Sequence, residues 1–352
     1  MTARDVKDAI RIAEKIIRVQ GNVFIKDLLR TKKRTEARIR IGSTKEEILD
    51  NLRDAIRAGF IARSELESWT QEVEGWGKQH VYLYRVSKKL AAEPYWRSTG
   101  DFEKKLEQHP ALLLERREAP DLEFPPELKI SSVSFADRTF EVIWRRRFEQ
   151  WDRDPSEDKE RTIRGDRYQL RAYRQKLSRA VTRFVLKPDE KIAALFLQIP
   201  LQDSTHASAR ELVKDTLGEL LGWQNLEAVS LSEPIKAIDQ AELNLASSGE
   251  ESEIVAQSTR FGAGGASVAF DSDPGNTRWK SIAAVRRVRL ALKEKDFSGD
   301  TATFLVKLRG DEGMSRDVMM SLNAKQKRVY FSAQMNSKEV WYALGAVFGQ
   351  SV

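Results

Sequence analysis

The chain opens on an amphipathic pattern. Residues 4–20, RDVKDAIRIAEKIIRVQ, put Val6, Ile10, Ala13 and Ile17 at helical spacing, and Ile12 and Ile16 widen the stripe. Gly21-Asn22 ends that helix. VFIKDLLR (23–30) predicts a short second one. A third, KEEILDNLRDAIRAGFI, carries Ile48, Leu52, Ala55 and Ile56 on one face. Ser43 or Thr44 caps it, Glu46 and Glu47 supply first-turn negative charge, and Gly59 stops it. From about Leu66 to Val86 the pattern becomes strand-like, and EVEGWGKQHVYLYRV (72–86) predicts a hairpin with Gly75-Trp76-Gly77 at its tip.

Residues 91–130 predict a connector. A short helix fits 100–108, and prolines at 110, 120, 125 and 126 exclude helix interiors and central strands. From 131 the texture changes. ISSVSFAD and TFEVIWRRRFEQW read as strands, YQLRAYRQKLSRAVTRFVL as strand, helix or both, and KIAALFLQI (191–199) as a buried strand. HASARELVKDTLGELLG (206–222) is an amphipathic helix, and LASSGEESE (245–253) marks a loop and a sub-boundary. The last hundred residues predict an antiparallel meander of GASVAFD, RRVRLALKEKD, TATFLVKLRG, DVMMSLN and KRVYFSAQM, closed by the helix SKEVWYALGAVFGQ. Strand–strand–strand–helix recurs in both halves of 131–352, which hints at two related α+β modules. The expected class is α+β: a helical N-terminal domain (1–90) with a hairpin, a connector (91–130), and a larger antiparallel domain (131–352).

Composition adds three constraints. A chain of 352 residues is too long for one compact core. There is no cysteine, which excludes disulfides and thiolate chemistry, and the three histidines (His80, His109, His206) lie far apart in sequence. No metal or other cofactor is therefore expected. No apolar run approaches the ~18–20 residues a membrane span needs, and MTARDVKDAIRIAEK lacks the apolar centre of a secretory signal. A cytoplasmic protein is expected, or a nuclear one in a eukaryote. Residues 1–90 hold 20 Lys and Arg against 13 Asp and Glu, which accounts for the whole net charge of +7. Such lopsided charge is the electrostatic footprint of a nucleic-acid binder, although a solvated face without a partner would look the same.

The order helix, helix, helix, hairpin resembles the winged-helix DNA-binding domains. The resemblance rests on STKEEILDNLRDAIRAGFI (43–61), laid out as a recognition helix, and on EVEGWGKQHVYLYRV (72–86), laid out as the wing. It covers about the first quarter of the chain and implies duplex DNA as the partner. It departs from the pattern in one respect: about ten residues separate LLR from STK, where a helix-turn-helix uses roughly 3–4. By this resemblance Ser43, Thr44, Lys45 and Asn51 would face the groove, and Trp76, Lys78 and His80 would act at the wing. Lys32, Lys33, Arg34, Arg38 and Arg40 concentrate positive charge suited to phosphates.

WRRRFEQW (144–151) is a second basic patch. Strand alternation puts Arg145 and Arg147 on one face, suited to a nucleic-acid backbone, or to protecting a sheet edge by charge. Arg161, Arg164, Arg167, Arg171 and Arg174 follow closely. Enzyme signals are poor. PDLEFPPELK (120–129) superficially resembles a nuclease motif through Asp121, Glu127 and Lys129, but two prolines intervene. FGAGGAS (261–267) lacks the ending of a phosphate loop, and DSDPGN (271–276) has too few ligands for calcium. The expectation is a non-catalytic DNA-binding protein, a transcription regulator or a nucleic-acid-directed defence or chromosome-maintenance component, whose C-terminal domain binds a partner or another copy. The alternatives are a metal-dependent nuclease and an adaptor that uses the winged helix for protein contacts.

Overall fold

The computed structural model describes residues 3–19, 22–76, 78–113, 125–198, 203–248, 252–263, 265–271, 283–293, 297–307, 316–333 and 335–349. Asp121 and residues 272–276 of DSDPGN lie outside them.

Four helices come first: α1 (Ala3–Val19), α2 (Asn22–Thr35), α3 (Lys45–Arg57) and α4 (Arg63–Gly75). The apolar stripes of α1 and α3 close one core, in which Ala9, Ala13 and Ile16 pack with Ile48, Leu52 and Ile56, and Leu29 and Leu66 complete it. Thr44 caps α3: its side chain accepts from the Glu47 N–H, and the Glu47 carboxylate accepts from the Thr44 N–H. Gly59, at φ +76°, lets the chain leave α3 in a conformation that a side chain would strain.

A hairpin does not follow. Residues 63–75 are helical, and the strand β1 (Gln79–Val86) runs into the middle of a large antiparallel sheet. β1 pairs with β7 (Ile192–Leu197) on one edge; β13 (Arg328–Phe331) and β8 (Leu226–Ala228) share the other. The remaining strands are β2 (Lys129–Ala136), β3 (Thr139–Arg153), β6 (Tyr173–Lys187), β9 (Ile254–Ala263), β10 (Ala266–Asp271), β11 (Ser298–Val306) and β12 (Val318–Asn323). Across the sheet the order is β10-β9-β11-β12-β13-β1-β7-β6-β3-β2.

The sheet has two cores, one on each face and displaced sideways. Val81 and Leu83 of β1 point to the face covered by α9 (Ser232–Ser248) and α11 (Ser337–Phe348). Tyr82, Tyr84 and Val86 point to the other face, covered by α5 (Lys88–Ala91), α6 (Thr99–Glu107), α7 (Pro110–Leu113) and α8 (Asp203–Leu221). β7 is buried along its whole length because both layers overlap it, which explains its unbroken apolar run.

The class is α+β. The strands expected at 131–151, 191–199 and in the meander form, as do the helices expected at 206–222 and at the C-terminus. One expected strand is corrected. RRVRLALK belongs to a helix, α10 (Ala283–Lys293). Its inward residue is Arg289, fully buried and paired with Asp239 and Glu242 of α9. An arginine on the buried stripe hides the helical period, and the alternation of valines and arginines imitates a strand.

Candidate nucleic-acid interface

The basic segment 32–40 forms the end of α2 and the loop after it. Two of its five cations are already engaged. The Lys32 ammonium pairs with the Glu65 carboxylate of α4. Arg38 pairs with Glu36 at 2.7 Å and lies over the Phe60 ring at 4.2 Å. The Arg38 guanidinium in turn holds the Glu36 carboxyl below its ordinary range. Lys33, Arg34 and Arg40 are exposed and form no ion pair among the described residues. Lys45 joins them at the start of α3, beside the exposed Ser43 and Thr44. The N–H groups of Ser43 and Thr44 both donate to Glu47, which pulls that carboxyl's pKa down. The front of α3 thus carries one cation, Lys45, against two acidic residues, Glu46 and Glu47. Asn51 is half-buried, and less available than the sequence reading expects.

The residues assigned to a wing are placed differently. Trp76 caps the end of α4 and is 5% exposed. Its ring packs edge-on against Phe196 at 5.1 Å, and the Arg183 guanidinium covers it at 4.2 Å. Its carbonyl accepts from the Met335 N–H at 3.1 Å. Trp76 is therefore a joint between the helical segment and the sheet rather than a tip. His80 is buried in the centre of the sheet. Lys78 alone of the three is exposed. The physical cause is that α4 runs to Gly75 and β1 starts at Gln79, a helix-to-strand transition that the sequence does not distinguish from a hairpin turn.

Arg145 and Arg147 also part company. Arg145 is buried, opposite Lys129 of β2 and Val181 of β6. Arg147 is exposed and pairs with Glu149 at 2.9 Å. The difference marks where the sheet stops. β2 pairs with β3 only as far as Arg145, and β7 with β6 only as far as Thr182. From Arg146 and Ala180 outward the strand pairing is between β3 and β6, with one further bond from the Arg147 N–H to the Pro125 carbonyl, and it ends at Arg153 opposite Tyr173. Eight residues at about 3.4 Å each extend this ribbon by about 27 Å. It carries at its end a second hairpin, β4 (Lys159–Ile163) and β5 (Asp166–Leu170). Arg164 and Gly165 turn that hairpin with φ of 53° and 91°, the positive pair a tight two-residue turn requires.

Every residue of β4 and β5 is exposed. The register puts Lys159, Arg161 and Ile163 on one face with Leu170, Tyr168 and Asp166 opposite them. Trp151, Arg153 and Tyr173 share a face of the ribbon, with the Arg153 guanidinium 5.6 Å from the Tyr173 ring. Trp151 is 61% exposed and Tyr173 is 52% exposed. Some cations are tied locally: Arg153 pairs with Asp158, and Arg167 with Glu160 at 3.9 Å. Arg161, Arg164 and Arg174 form no ion pair among the described residues. Sequence reasoning noted these arginines but missed the aromatic and aliphatic side chains set among them. The signal was present in RTIRGDRYQLR, where Ile163, Tyr168 and Leu170 interleave with Arg.

A scan of the chain against protein-family models finds no match, and no curated protein is significantly similar to it. The case for function therefore rests on the geometry. None of the helices among the described residues is long and apolar enough to cross a membrane.

Proposed function

We propose that this protein binds DNA and does no chemistry on it. The observation that carries this is the arm: a two-stranded ribbon on which Trp151, Tyr168 and Tyr173 stand exposed among Arg153, Arg161, Arg164 and Arg174. An isolated two-stranded hairpin is marginal in water. One that leaves Ile163, Tyr168 and Leu170 in solvent is better suited to being covered by a partner. A β-ribbon fits the DNA major groove, and aromatic faces beside guanidinium groups suit bases and sugars. Lys33, Arg34, Arg40 and Lys45 would contact phosphates and position the duplex. In this reading the resemblance to winged helices keeps residues 43–61 and loses the wing expected at 72–86, and the arm supplies contacts of its own. A regulator or a defence or chromosome-maintenance component would use such binding.

Ile163 and Leu170 favour a second reading, in which the arm docks on another protein. Fluorescence anisotropy of a labelled 20-base-pair duplex separates the two. DNA binding predicts saturable binding at ~50 mM salt, where phosphate contacts are strongest, with single strands competing less well. Binding should weaken sharply when residues 154–172 are replaced by Asn-Gly, which closes the ribbon at the Arg153–Tyr173 pair. The absence of binding to duplex or single strands at that salt favours the protein partner.

A further inference from the structure

Beside β1 the sheet has a face that no helix covers among the described residues. The layer of α5–α8 ends at α8, while α9 and α11 lie on the opposite face of the sheet. There, β9, β11, β12 and β13 present polar side chains where their other face presents Ala256, Phe304, Met320 and Val329. A cavity of about 190 Å³ opens on this face, lined by Ser258, Thr303, Ser321, Arg328, Tyr330 and His80.

His80 is part of this lining. It is 3% exposed, and its Nδ1 has no hydrogen-bond partner among the described residues. Its ring stacks on Tyr330 at 4.5 Å and meets the His206 ring edge-on at 4.6 Å. His206 is held in turn, its Nδ1 3.1 Å from the Tyr82 hydroxyl. Part of the His80 ring lines the cavity, so the ring reports on whatever occupies it. The lining supplies a guanidinium, several hydroxyls and an imidazole, and no carboxylate. The hydroxyls of Thr303 and Ser321 already sit 3.0 Å apart, so their remaining capacity faces outward together. The volume is below the ~300 Å³ of sites for drug-sized ligands. It equals about six waters at ~30 Å³ each.

We infer that this cavity binds a phosphoryl group, with Arg328 supplying the charge, Ser321 and Thr303 the hydroxyls, and the His80 ring part of the lining beside them. The inference is independent of the arm and survives if the arm binds no DNA. The phosphoryl group has two sources, a free phosphate or nucleotide and the 5′ end of a nucleic acid strand. The protein has three histidines, so their imidazole signals are resolvable in a ¹⁵N-histidine sample of the full chain. Titration with inorganic phosphate at constant ionic strength, balanced by chloride, should move the His80 signals saturably and leave His109 in place. Parallel titrations with a nucleoside 5′-monophosphate, and with a short strand bearing a 5′-phosphate or a 5′-hydroxyl, separate the sources. Arg328→Gln should weaken the effect about tenfold or more, the size of a lost charge-assisted hydrogen bond. Arg328→Lys should weaken it less, and unchanged His109 signals report that both variants are folded. No movement of His80 with any phosphate probe, or equal movement in Arg328→Gln, overturns the inference.

Discussion

The Arg183 guanidinium of β6 lies 4.2 Å from the centroid of the Trp76 ring at the end of α4. This contact ties the helical N-terminal segment to the sheet, and the Arg183 Nε forms an ion pair with the Glu141 carboxylate at 3.0 Å. A cation over an aromatic face is worth about 0.5–2 kcal/mol or more when desolvated. The ring itself contributes more by filling the space beside Phe196.

Trp76→Ala should therefore destabilise the whole protein by about 3–5 kcal/mol, the usual cost of deleting a buried tryptophan. Trp76→Phe should cost less. Urea unfolding measures both. If Trp76 acted at an exposed tip, the same substitution would leave the urea midpoint in place and change only binding.

The buried cluster of Arg289, Asp239 and Glu242 makes a second case. Arg289→Met strands two acidic side chains beneath α10, and should cost about 3–5 kcal/mol. Glu242 has a further task, since its Oε1 accepts from the Ala256 N–H at 2.7 Å. The triple variant Arg289→Met, Asp239→Leu, Glu242→Gln keeps that bond and removes the charges. Thermal melting should show it recovering most of the lost stability.

His80 gives the fold a pH dependence of known sign. Burial, then the nearby His206 and Arg328, lower its pKa from 6.5 to about 3. The unfolded chain binds this proton across that window and the folded chain does not, so stability falls as the pH drops from about 6.5 towards 3. His109, lowered chiefly by burial and by Lys105, adds a contribution of the same sign. His80→Phe keeps the stacking on Tyr330 and removes the titration. Urea midpoints measured between pH 7 and pH 5, above the carboxylate range, should fall less steeply for this variant than for the wild type.

Legibility in the sequence followed the range of the interactions involved. The cap of α3 was readable because Thr44 and Glu47 are three residues apart. β7 was readable because burial on both faces leaves IAALFL without a polar position. α4 was misread although Leu66, Trp69 and Thr70 recur at helical spacing, because the glycines around Trp76 and the strand after it drew the segment into a hairpin. The site at His80 was not legible at all. It joins β1 to α8 and β13, and no local pattern announces that His80 and His206 touch. The arm lay between these cases: its arginines were visible, but only the register shows that Arg161 stands opposite Tyr168.

The central claim is that exposed cations and the aromatic arm bind DNA together. The most direct measurement is the salt dependence of duplex affinity for the full chain, between 50 and 200 mM salt, in three proteins: wild type, Lys33→Ala/Arg34→Ala/Arg40→Ala, and Trp151→Ala/Tyr168→Ala/Tyr173→Ala. Each phosphate contact contributes about 0.9 to the slope of log affinity against log salt. The account predicts that the first triple variant flattens the slope by about 2–3, whereas the second weakens binding at every salt concentration with little change of slope. Equal affinity and slope in all three proteins, or no binding at 50 mM salt, would contradict it.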